Sequence, residues 1–138
     1  MKKDTLIVIK DHQKTLDGCD ETEITTRGKI FYNDTDNFVI SYDESLDEET
    51  TCHTTVRVKN NTAQISRRGG FSSDIYVTPQ EYQQCQYNTP FGSFLLGIYG
   101  KEVRADFKDG NGTLKLAYSI DFAGDYSCEN SLVITVTS

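Results

Sequence analysis

Arg67 is the side chain in this sequence with the strongest claim to chemistry, because it keeps a two-residue step with Ala63 and Ile65. In an extended chain those three side chains point the same way, so an arginine follows two apolar residues inward. A guanidinium desolvated there costs several kcal/mol unless it is paired and hydrogen-bonded. Glu44 keeps the same step with Phe38, Ile40 and Tyr42, and Tyr118 keeps it with Leu114 and Leu116. Two readings follow. Either Glu44 and the tyrosine hydroxyls satisfy Arg67 as an internal salt bridge, or its fork grips a carboxylate or other anionic ligand. A register slip of one residue would turn Arg68 inward instead. Tyr42, Tyr87, Tyr99 and Tyr118 are the aromatic residues expected to line a modest cavity near one mouth.

The other chemistry-bearing residues have simpler readings. His12 and His53 are the side chains that titrate near neutrality, and Cys52 beside His53 points to the opposite face of a strand, so the two form no dyad. Cys19, Cys52, Cys85 and Cys128 are spaced by 33, 33 and 43 residues without a Cys-x-x-Cys pair, which reads as free thiols rather than a zinc site or redox dithiol. Asp43 to Glu49 holds five acidic residues in seven but lacks the spaced ligands and glycine of a calcium loop, and reads as a solvated hairpin tip. Asp109-Gly110-Asn111-Gly112 reads as a tight turn, and Arg67-Arg68-Gly69-Gly70 as a strand end rather than an RNA-binding fragment. No catalytic residue, metal site or cofactor is expected. An enzymatic reading rests only on Glu44 and Arg67 as an acid or electrostatic stabiliser.

Period-two alternation also sets the elements that must carry these residues. Phe38–Tyr42, Val56–Val58, Ala63–Arg67, Phe94–Ile98, Leu114–Phe122 and Leu132–Val136 each place apolar residues on one face. Turn-forming residues at Asp34–Asn37, Asn60-Asn61, Gly69-Gly70 and Asp109–Gly112 separate them. Gly28 interrupts a long extended stretch from Thr22 to Tyr32, as a glycine does where a strand bends sharply at a barrel corner or a bulge. Thr78-Pro79-Gln80-Glu81 has the form of a helix start, and competes with a bulge leading into a strand through Tyr87. The pattern predicts an all-β chain: a closed antiparallel barrel of about 8 to 10 strands, with at most one short helical turn and a sandwich as second choice. Bulky inward residues predict a largely packed interior.

The 138 residues suit one domain, spanning 1–138. Eight Tyr and seven Phe with only two Pro argue against disorder. No apolar run approaches the length needed to cross a bilayer as a helix. A net charge of −7 argues against nucleic acid and anionic lipid as partners. The stretch from Met1 to His12 lacks the long apolar run of a secretion signal, so a cytoplasmic location with reduced thiols is expected, and the sequon-like strings at Asn33, Asn60 and Asn111 carry no meaning there.

Several landmarks resemble the YwiB-like family of small bacterial proteins (domain of unknown function 1934), grouped with the calycin, lipocalin-like barrels. They are Ser41-Tyr42-Asp43-Glu44, Arg67 with Gly69, Thr89-Pro90-Phe91-Gly92, and Gly112-Thr113-Leu114 followed by Tyr118, in order from about Gly28 to Val136. The resemblance implies a lipocalin-like barrel from a bacterial cytosol, with no assigned activity and no catalytic residues. The acidic stretch Asp47–Glu49 departs from the family pattern.

Two functional expectations result. The first is a non-enzymatic barrel, monomeric or dimeric, that binds a small amphipathic or anionic ligand near one mouth through Arg67, Glu44, Tyr42, Tyr118, Tyr87 and Tyr99. The second is a solid barrel whose acidic surface docks a basic protein partner.

Overall fold

The computed structural model describes residues 2–15, 17–45, 51–69, 72–122 and 125–137. They form ten strands: β1 (Lys2–Thr15), β2 (Gly18–Asp34), β3 (Asn37–Ser45), β4 (Thr51–Lys59), β5 (Thr62–Gly69), β6 (Ser72–Val77), β7 (Tyr82–Thr89), β8 (Gly92–Lys108), β9 (Asn111–Phe122) and β10 (Asp125–Thr137). Every strand pairs antiparallel with its neighbours in sequence, and β1 pairs with β10, so the meander shuts into a barrel. No helix forms among the described residues, and none is therefore long and apolar enough to cross a membrane.

Alternation decides what lies inside. Ile7, Ile30, Ile40, Val56, Ala63, Ile65, Val77, Ile98, Leu114 and Ile134 are fully buried, each on the inward-facing row of its strand. Burying one such aliphatic side chain stabilises the fold by roughly 1.5–3 kcal/mol. At one end Phe38 and Phe107 stack with ring centroids 4.4 Å apart, with Tyr32 against both. The Thr35 hydroxyl ties the β2–β3 turn across this end, donating to the Ala105 carbonyl at 3.2 Å and accepting from the Phe107 amide at 3.3 Å. These rings and this tie plug the core at that end.

The turns follow local chemistry. Asn60 and Asn61 both take positive φ (51° and 67°), as do Asp109 (55°) and Gly110 (83°), giving tight two-residue hairpins whose twist matches the strands. Thr78–Glu81 makes a tight turn rather than a helical one: the Glu81 amide donates to the Thr78 carbonyl at 3.1 Å, and Gly100 exchanges backbone hydrogen bonds with Gln80 and Glu81 at 2.9 and 3.0 Å. Gly100 offers the partners that helical hydrogen bonds would otherwise supply.

Gly28 marks a close approach between strands. It pairs with Thr5 on one side and Tyr42 on the other, and a Cβ there would overlap the Ser41 carbonyl and the Ile7 side chain. The β2–β3 ladder ends at Gly28, while β2 remains paired with β1 back to Gly18. Gly18–Arg27 therefore has a free edge on its β3 side among the described residues. A second weak seam lies between β6 and β7, whose ladder among the described residues pairs Ser72↔Asn88 and Ser73↔Tyr87.

Candidate functional site

The open end holds a cleft of about 360 Å³ lined by residues of nine strands, with Asp11, Gln13, Glu44, Arg67, Ser73, Tyr118 and Asn130 as its polar lining. Five of them arrive by the same device. The apolar row of a strand ends, at the mouth, in one polar residue that keeps the inward step: Ile7-Ile9-Asp11, Ile40-Tyr42-Glu44, Ala63-Ile65-Arg67, Val77-Ile75-Ser73 and Ile134-Leu132-Asn130.

Arg67 faces inward, and Arg68 faces out, paired with Asp74 at 2.8 Å. The Arg67 Nε lies 3.6 Å from Glu44 Oε2, with the two side chains only 20% and 10% exposed. Glu44 is well supplied with donors. The Thr54 hydroxyl donates to it at 3.1 Å, and the Tyr42 hydroxyl bonds it from below. Burial, reinforced by the Glu44 charge, pushes the Tyr42 phenol far above its ordinary value, so it stays a neutral donor. Tyr118 is also held protonated by burial, and its oxygen accepts a hydrogen bond from the Asn130 amide at 3.2 Å.

The floor of the cleft is not satisfied from within. Three buried side-chain oxygens among the described residues lack a hydrogen-bond partner, and two of them, Asp11 Oδ1 and Ser73 Oγ, belong to this cleft. Burial raises the Asp11 pKa, the Glu44 charge adds to the rise, and the Arg67 charge opposes it. Tyr87, Leu96, Ile120, Ile75 and Ile24 supply the apolar wall. Phe94 and Phe122 continue the rows of Leu96 and Ile120 to the rim, 38% and 46% exposed, with ring centroids 5.6 Å apart.

Of the residues expected at this mouth, Arg67, Glu44, Tyr87 and Tyr118 line the cleft, and Tyr42 supports Glu44 from the core. Tyr99 does not belong. It is 40% exposed on the outer wall, because Ile98 takes the inward position and the next residue must point away. Asp11, Ser73 and Asn130 escaped the sequence reading, although the alternation that exposes Arg67 applies to each. The acidic stretch Asp47–Glu49 lies outside the described residues. Among those described, no group of His, Cys, Asp and Glu could hold a metal ion, and none of the four cysteines is in a disulfide.

A second polar cluster lies on the outer wall. Ser41 Oγ is 3.0 Å from His53 Nε2, and His53 Nδ1 is 2.8 Å from Asp43 Oδ1, the contact order of a nucleophile, base and orienting acid. Ser41 sits mid-strand, in register with Lys29 and Thr55, where backbone amides are used by the ladders rather than aimed at an oxyanion. The Asp43 and His53 side chains are 70% and 55% exposed, so water screens the pair. The cluster reads as a surface hydrogen-bond network.

The family model described as Domain of unknown function (DUF1934) matches residues 7–134. The chain belongs to that family. Its fold is similar to the crystal structure of the ywiB protein from Bacillus subtilis, with a TM-score of 0.87 at 18% identity, covering 99% of this chain and 92% of the other. No curated protein matches the sequence. At that identity the likeness concerns the barrel alone, so the polar mouth is argued from this chain's own residues.

Proposed function

We propose that this protein is a non-enzymatic, cytosolic, calycin-like barrel that holds a small amphipathic ligand in its open mouth. The polar head sits on Arg67, beside Glu44, Ser73 and Tyr118, and the apolar part lies along Tyr87, Leu96 and Ile120 toward Phe94 and Phe122. What carries this reading is Arg67: a guanidinium four-fifths buried in a cleft, whose contact among the described residues is the 3.6 Å approach to Glu44. A fork so desolvated retains donors for a ligand acceptor. Native mass spectrometry of protein purified from its own host is the test. A passenger mass is expected in the parent and absent from Arg67→Ala; a bare parent with an identical spectrum in the variant defeats the reading.

A second reading is favoured by the free edge of Gly18–Arg27. Asp20, Glu21 and Glu23 lie along it, and β-formers Thr22, Ile24, Thr25 and Thr26 keep it extended. An extended basic segment of a partner protein suits that edge by strand addition, whereas a second copy of a chain with net charge −7 is repelled. Co-purification that falls as salt rises supports it; retention indifferent to salt opposes it.

A further inference from the structure

We infer that the ligand head accepted by this mouth is zwitterionic, an ammonium beside a carboxylate as in an apolar amino acid, rather than a simple anion. The inference rests on the ligand-binding reading above and adds the head-group chemistry.

The polar floor contains one guanidinium and two carboxyls, Glu44 and Asp11. Glu44 is already provided for by the Thr54 hydroxyl, the Tyr42 hydroxyl and the Arg67 Nε. Its charge and that of Arg67 offset each other. Asp11 is left over, with a buried oxygen that meets no donor. A fatty-acid-like carboxylate would satisfy the remaining donors of Arg67 and set a second negative charge near Asp11, which like-charge repulsion penalises. An ammonium supplies the missing donor to Asp11 while its neighbouring carboxylate takes the Arg67 fork. Ser73, 3% exposed with its hydroxyl unpartnered, serves as donor or acceptor to the same head. The Phe94–Phe122 pair at the rim offers an aromatic surface for the side chain.

Three probes that share one skeleton separate the possibilities: L-phenylalanine, 3-phenylpropanoate and 2-phenylethylamine, titrated into the full chain and its variants by two-dimensional NMR or calorimetry. The parent is expected to bind phenylalanine at least about tenfold tighter than 3-phenylpropanoate. Asp11→Asn, which keeps the shape and removes the charge, abolishes that advantage; Arg67→Gln weakens both carboxylate-bearing probes. The inference is overturned if 3-phenylpropanoate binds the parent as tightly as phenylalanine, if Asp11→Asn preserves the preference, or if none of the three binds. Where one of those results accompanies an Arg67-dependent passenger mass, the head-group assignment alone is lost. Where no passenger exists either, the binding reading falls with it.

Discussion

Replacing Glu44 and Arg67 by leucine, singly and together, tests the central contact of the mouth. At 3.6 Å and an effective dielectric of about 20, two unit charges attract by about 4–5 kcal/mol before desolvation is charged against them. Because Arg67 retains 20% and Glu44 10% exposure, part of that is screened, and a net coupling of about 2 kcal/mol is expected. Arg67→Leu leaves a carboxylate buried with two hydroxyl donors and should cost about 3 kcal/mol, the lower end of what breaking a buried pair costs. Glu44→Leu should cost less, about 2 kcal/mol, since Arg67 still faces the cleft and Asp11. The double variant removes both charges together, so it should cost about 3 kcal/mol, about 2 less than the two single costs added. Urea unfolding at pH 7 supplies all four corners of the cycle. If the single costs simply add in the double variant, Arg67 and Glu44 are independent and the reasoning about the mouth is wrong.

Further outcomes follow from the same geometry. Folding raises the Asp11 pKa through burial, so the folded state binds its proton more readily than the unfolded chain; stability from that proton is complete below the unfolded value and lost as pH rises through the folded one. Asp11→Asn should therefore stabilise the protein at pH 7, and urea midpoints of parent and variant should converge below the ordinary carboxylate pKa of about 3.9. Gly28→Ala places a methyl against the Ser41 carbonyl and Ile7, and should cost about 1–3 kcal/mol in the same assay. The Ser41–His53–Asp43 network should confer no esterase activity: p-nitrophenyl acetate hydrolysis by the parent should match that of Ser41→Ala, and a Ser41-dependent rate would contradict the surface reading.

The barrel was legible because its signal is local. Each inward row repeats every second residue, so Ile40, Ile65, Leu116 and Ile134 announce their face without knowledge of their neighbours. The Asn60-Asn61 and Asp109-Gly110 hairpins announce themselves by residue type. Arg67 and Glu44 were found because a charge interrupts an apolar row. Asp11, Ser73 and Asn130 end theirs in the same way, but a short polar side chain at a row end reads as an ordinary exit to solvent, whereas an inward guanidinium demands a partner. Tyr99 was misplaced for a different reason: tyrosine is at home on either face, and only strict parity with Ile98 decides. What no one-dimensional pattern contains is cross-strand register, which sets Asp43 opposite His53 and ends the β2–β3 ladder at Gly28.

The short described ladder between β6 and β7 leaves the barrel wall lightly tied beside the mouth. Ser73 and Tyr87 form one of its two described rungs and also belong to the lining of the mouth. Parting those rungs would widen the entrance beside Arg67 without touching the long seams, such as the pairing of β1 with β2 from Lys2 to Thr15. Opening this seam would take the unzipping of a few backbone hydrogen bonds, a local event far smaller than unfolding the barrel.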